Sequence, residues 1–156
     1  MTKKRNVAFP AVFLFLRDGN KILLTRRFKT DYFDGWYSVP AGHVDAGELP
    51  LDAIVRDVKE EIGITVEKKD ITFVHCLYRT KHDETGDRVD IFFTATKWTG
   101  EITNTEPHKC DDVRWFPVRS LPKNVIPHVK DAIRDAENTV PFRELSLKQI
   151  KKSPKT

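Results

Sequence analysis

Apolar and polar positions in this chain follow two different periods, and each change of period marks an element. Val7 to Leu16 is almost unbroken apolar sequence rich in β-branched and aromatic residues, which predicts a strand buried on both faces, with Pro10 marking a bulge or an edge at its start. Asp18-Gly19-Asn20 is turn chemistry, and Lys21 to Thr25 returns as the hairpin partner. Trp36 to Ala41 reads as a short strand. From Pro50 the spacing becomes helical: Leu51, Ile54, Val55, Val58 and Ile62 fall on one stripe. Proline suits a first helical turn and Gly63 the position just past a helix end, so the helix spans Pro50 to Ile62. Ile71 to Thr80 and Arg88 to Trp98 are strand-like and joined by the polar Lys81 to Asp87, while Val113 to Phe116 is a short strand closed by Pro117. Ile126, Val129, Ile133 and Ala136 space a second helix behind Pro122 and Pro127. Strands interspersed with two helices predict an α/β fold in which a mixed sheet is covered on both faces.

The polar side of the first helix carries Asp57, Glu60 and Glu61, with Arg56 at its edge. Asp57 and Glu61 are like charges four residues apart, which costs roughly 0.2–0.5 kcal/mol, and both glutamates sit at the negative end of the helix dipole. A solvated acidic face is the bland account, but a bound cation gives a reason for collecting acids there. Hard oxygen donors without nearby cysteine or paired histidines favour Mg²⁺ or Mn²⁺ over zinc. Gly42, Glu48 and Arg56 lie in the same short stretch and weigh against the bland account.

That stretch, GHVDAGELPLDAIVRDVKEEIGI from Gly42 to Ile64, resembles the signature box of the Nudix hydrolases, G-x5-E-x7-R-E-U-x-E-E-x-G-U with U apolar. Gly42, Glu48, Arg56, Val58, Glu60, Glu61, Gly63 and Ile64 stand in register. Three positions depart from the pattern: Asp57 replaces a glutamate, Ala41 replaces a common preceding glycine, and Leu49 replaces a frequent capping Ser or Thr, giving up ~1 kcal/mol. The resemblance implies an α/β/α sandwich over Val7 to Asn138. It also implies metal-dependent hydrolysis of a nucleoside diphosphate linked to another group.

By the same resemblance, Glu60 and Glu61 are metal ligands, Asp57 a ligand or the base that orients water, and Glu48 an outer metal acid. Arg56 holds the carboxylates, and the carbonyl of Ala41 or Gly42 is a further oxygen donor. A later acid completes the set: Glu106 is the candidate, with Glu101, Asp111 and Asp112 as rivals. Arg27 and His43 are candidates for phosphate contact. The expected substrate is a nucleoside triphosphate or modified nucleotide, cleaved to the monophosphate and pyrophosphate. ADP-ribose or a sugar nucleotide, a dinucleoside polyphosphate, or binding without cleavage are the alternatives.

Composition adds limits. With 156 residues the chain reads as one domain, residues 1–138, followed by an extension, 139–156, that ends in the basic tail Lys148 to Lys155 and reads as a frayed terminus. A net charge of +4 is too mild to imply a stable nucleic-acid complex but helps attract phosphorylated ligands. Cys76 and Cys110 form no CxxC pair, which points to a reducing, cytoplasmic setting. The apolar run from Val7 lacks a cleavage site and is too short to span a bilayer, so no membrane association is expected. A monomer or homodimer is expected. Among the aromatics Phe28, Tyr32, Phe33 and Trp36, one is placed to stack a base. His75 and Cys76 read as core, His82 carries no signal, and His128 reads as surface.

Overall fold

A computed structural model describes residues 3–83 and 86–146; the basic tail lies outside the described residues, as does the side chain of His82. The elements run β1 (Ala8–Asp18), β2 (Lys21–Arg27), β3 (Tyr37–Ser38), β4 (Ala41–His43), α1 (Pro50–Ile62), β5 (Thr72–Asp83), β6 (Gly86–Ala95), β7 (Cys110–Pro117), α2 (Pro127–Glu137) and β8 (Phe142–Leu145). The strand expected over Trp36 to Ala41 is two short strands, because Val39-Pro40 interrupts it and proline has no N–H for a ladder. β3 pairs with β2 and β4 with β1.

The sheet order is β3-β2-β1-β6-β5-β8, with β4 also on β1 and β7 on β2. One edge of β1 runs parallel to β6 from Ala8↔Asp87 to Leu16↔Ala95. Its other edge is divided. Ala11 to Phe13 pair with β4, whereas only Arg17 and Asp18 pair with β2. β2 pairs along its whole length with β7 on its other edge, so two limbs of sheet part at the middle of β1.

The double-faced apolar run of β1 is explained by two separate cores. Ala11, Phe13 and Phe15 pack with Val129, Ala132 and Ile133 of α2, and Val12, Leu14 and Leu16 pack with Ala53, Ile54, Val58 and Ile62 of α1. Apart from the alanines, each such side chain contributes roughly 1.5–3 kcal/mol when fully buried. Phe92 on β6 anchors the α2 side, stacked on Phe13 with ring centroids 4.5 Å apart.

β8 has no counterpart among the expected elements, since Phe-Arg-Glu-Leu is too short and too charged to show a period. Its pairing with Cys76 to Arg79 of β5 draws part of the expected extension into the sheet. Arg143 forms an ion pair with Asp135 of α2, and Nδ1 of the fully buried His75 lies 2.8 Å from the Val140 carbonyl. No helix among the described residues is long and apolar enough to cross a membrane.

Candidate active site

α1 is held at both ends. Leu49 makes no side-chain cap, as its identity predicts, and Pro50 opens the first turn. Gly63 closes the helix at φ 75°, in the left-handed region that favours glycine. The carbonyls of the last turn are taken up by the loop before β7: Thr103 N–H donates to Ile62 at 3.0 Å, Thr105 N–H to Glu61 at 3.2 Å, and the Thr105 hydroxyl to Glu60.

Arg56 organises the carboxylates. Its Nε and Nη2 donate to the two oxygens of Glu48, both at 2.9 Å, in a charge-assisted fork. Nη1 donates to Asp57 at 2.8 Å and Nη2 to the His43 carbonyl at 3.1 Å. The hydrogen bonds from Arg56 hold the Glu48 carboxyl down at about 2. Both Glu48 oxygens are thus taken up by Arg56.

Asp57 is buried, at 5% exposure, and its Oδ2 has no hydrogen-bond partner among the described residues. Burial raises its carboxyl to about 6 against the opposing pull of Arg56. The carboxylate lies directly on Gly42, where a Cβ would come within 2.1 Å of Oδ2. Glu61 accepts from the Ala41 N–H at 3.1 Å, and burial pushes its carboxyl well above the ordinary glutamate value. Glu60 is more exposed and approaches Arg56 only at 3.5 Å. Of the four candidates for the later acid, Glu106 alone lines the cavity beside Glu61. Asp111 is paired with Arg26, Asp112 with Tyr37 and Arg114, and Glu101 is exposed.

Among the described residues no three of these side chains converge as a ready-made metal cage. The donor set nonetheless suits a hard cation. Asp57 offers a buried unpartnered oxygen, Glu61 is a carboxylate that burial disfavours when charged, and the glycine at position 42 leaves the backbone open.

The cavity, about 460 Å³, opens where the two limbs of the sheet part. Arg27 and His43, the expected phosphate contacts, both line it. Arg27 also braces the adjoining loop, donating to the Tyr32 carbonyl at 2.6 Å and to Thr30 at 3.0 Å. Phe33 belongs to the core, whereas Tyr32 faces the cavity. His128, expected at the surface, is 7% exposed and lines the cavity, because the first turn of α2 faces inward there. Arg79, Arg88 and Lys109 also line it and were not anticipated. The one available signal was charge at alternate positions within a strand, at Arg88 and Asp90, which puts both on one face.

The NUDIX domain family model matches residues 7–136. The chain belongs to the Nudix hydrolase family. Nudix hydrolases generally use a divalent cation, and the chain is a pyrophosphohydrolase of this class. An ADP-ribose pyrophosphatase of Methanocaldococcus jannaschii is 31% identical over 86% of this chain and 79% of its own length. A human 8-oxo-dGDP phosphatase is 27% identical over 90% of the chain, and an NAD-capped RNA hydrolase of Pseudomonas putida is 33% identical over 72%. The chain spans only 41% and 38% of the lengths of these last two. In fold, the MutT Nudix hydrolase of Burkholderia pseudomallei superimposes with a TM-score of 0.74 at 23% identity, over 82% of this chain and 97% of that one. The Nudix sandwich expected from the signature is therefore the observed fold.

Proposed function

We propose that this Nudix hydrolase cleaves the diphosphate of a nucleoside diphosphate derivative with the help of Mg²⁺ or Mn²⁺. The preferred substrate is a nucleoside triphosphate or modified nucleotide, giving the monophosphate and pyrophosphate. The observation that carries this reading is the half-satisfied buried carboxylate of Asp57, lying on Gly42 at the edge of a cavity walled by cationic side chains. Carboxylates that burial disfavours in their charged form gain from a divalent partner, and the arginines and lysine suit an anionic ligand.

Asp57, Glu60 and Glu61 would hold the ion, with a carbonyl of Ala41 or Gly42. When bound it supplies charge neutralisation on phosphate oxygens and makes bound water more acidic. The chain's own groups do the rest. Arg56 fixes Glu48 and Asp57 so that the acids keep their places. Glu106 or Asp57 takes a proton from the attacking water as its oxygen bonds to phosphorus and the bond to the bridging oxygen breaks. Arg27, His43 and Lys109 orient the phosphates. The unpaired cysteines, Cys76 and Cys110, favour a reducing cytoplasm.

Purified protein and a panel of nucleoside triphosphates, sugar nucleotides and dinucleoside polyphosphates, with and without Mg²⁺, test this reading. Turnover should require the metal and fall by about 10²-fold or more in Glu61→Gln, with calorimetric Mn²⁺ binding weakened in parallel. Metal-independent turnover, or full activity in that variant, overturns it. The archaeal enzyme's name favours a second reading, hydrolysis of ADP-ribose to AMP and ribose 5-phosphate, and the same panel decides between the two.

A further inference from the structure

Glu106 reaches the cavity from residues 101–109, which contain neither helix nor strand. A carboxylate on irregular chain keeps a productive position only when other groups fix the backbone beneath it. Its place is also electrostatically uphill. Glu106 stands close enough to Glu61 for its charge to add to the burial that raises the Glu61 carboxyl, and two carboxylates with no cation between them repel. Lys109 offsets part of that repulsion, with Nζ 3.6 Å from the Glu106 carboxylate. The pair is long and Lys109 is exposed, so it is a weak restraint.

The stronger restraint acts on the backbone, and one side chain supplies it. Asn104 Oδ1 accepts from the Glu106 N–H at 3.1 Å, while its Nδ2 donates to the Cys110 carbonyl at 2.7 Å. Cys110 opens β7 and pairs with Arg27 of β2, so the amide ties the acid to the sheet. The Glu106 carbonyl is taken as well, by the N–H groups of Lys109 at 2.9 Å and Cys110 at 3.0 Å. Pro107 follows, which disfavours helical backbone at Glu106. Both backbone polar groups of the acid are thus engaged, and its side chain, 25% exposed, is left between cavity and water. That is where a group that takes a proton and returns it to solvent belongs.

The chemistry required at position 104 is narrow. An amide offers an acceptor at one end and a donor at the other; a carboxylate lacks the donor and a methyl group lacks both. Thr103 and Thr105 secure their own stretch of the loop through N–H groups, which any residue except proline supplies. Lys109 has an anchor of its own, since its carbonyl accepts from the Phe28 N–H at 2.9 Å. Losing the Asn104 amide therefore lets the Glu106 peptide rotate while the loop keeps its path.

We propose, within the hydrolytic reading above, that Asn104 is a positioning residue: its amide keeps the Glu106 carboxylate at the reacting water, and Glu106 acts only where Asn104 puts it.

A double-mutant cycle, run with Mg²⁺ on the panel substrate that the wild type turns over fastest, reads this coupling. Asn104→Ala should lower kcat at least about tenfold, as misplacement of a reacting group does, and leave KM within about twofold. Glu106→Gln should lower kcat by about 10²-fold or more, and adding Asn104→Ala to it should change kcat by less than about twofold. Asn104→Ser, whose hydroxyl still accepts from an N–H two residues on, should recover part of the loss. Amide hydrogen exchange on the metal-free proteins reads the tie without turnover. In Asn104→Ala the Glu106 N–H should exchange at least about tenfold faster, with Thr103 and Thr105 unchanged. Wild-type kcat in Asn104→Ala overturns the proposal. So does an equal loss in both backgrounds, as a merely structural role would give, a change confined to KM, full activity in Glu106→Gln, or an unaltered Glu106 amide. An active wild type with any of these outcomes defeats this proposal alone, whereas a wild type that turns over nothing on the panel defeats the hydrolytic reading beneath it as well.

Discussion

Gly42 shows how one missing methyl shapes the site. A Cβ there would overlap all three carboxyl atoms of Asp57, within 2.1–2.5 Å. The backbone of β4 and the acid of α1 therefore touch through the sheet layer. Gly42→Ala is expected to destabilise the fold by about 1–3 kcal/mol, as overpacking does, and to reduce turnover far more than that loss of folded protein explains. Thermal melts and turnover on one preparation check this; wild-type behaviour in both would show that Asp57 can step aside at no cost. The identities of Gly42, Asp57, Glu60 and Glu61 were legible because the signature fixes their spacing. The burial of Asp57 was not legible, since it depends on a strand fourteen or more residues away in sequence. Nor was the wall of Arg79 and Arg88, which two strands assemble by register.

Among the elements, α1 runs from Pro50 to Ile62 as its punctuation predicts, and α2 follows its apolar spacing. Proline, a left-handed glycine and a 3.6-residue stripe are local signals. β8 depends instead on a tertiary tie. Asp135, nearly buried on α2, accepts from Arg143 Nη2 at 2.8 Å, with His75 Nε2 3.8 Å away and Arg134 also lowering its pKa. The hydrogen bond from Arg143 is the main cause of that lowering. A carboxyl lowered in the fold contributes stability above its unfolded pKa and loses it as pH falls through the folded value. Arg143→Gln should therefore cost roughly 1 kcal/mol near neutral pH, discounted because Arg143 is partly exposed, and the deficit should shrink below about pH 4. Urea unfolding of both proteins from pH 7 to pH 3 measures it; a deficit independent of pH would mean that packing, not charge, holds the strand.

At the scale of the molecule, one strand separates two cores and also divides its edge between two limbs of sheet. The α/β layering was legible in the double-faced run of β1, because only a strand covered on both sides can afford no polar positions. The cavity between the limbs was not, since it follows from where β1 stops pairing with β4 and begins pairing with β2. Phe92 ties this centre together, stacked on Phe13 and 5.2 Å from Phe15. Phe92→Ala should lower the unfolding free energy by about 3–5 kcal/mol. It should do so in one cooperative transition when circular dichroism and tryptophan fluorescence are followed together; separated transitions would mean that the two cores melt independently.

The loop that takes up the final carbonyls of α1 also delivers Glu106 to the cavity. Thr103 and Thr105 thus bolt the loop that bears Glu106 to the end of α1, and Glu106 cannot drift without loosening the turn that bears Glu60 and Glu61. An insertion between Thr105 and Glu106 would reposition a single acid, whereas one ahead of Thr103 would unfasten the helix terminus and the acid at a stroke. Changes of length that spare both acids are accordingly confined to the far side of this segment, toward Lys109.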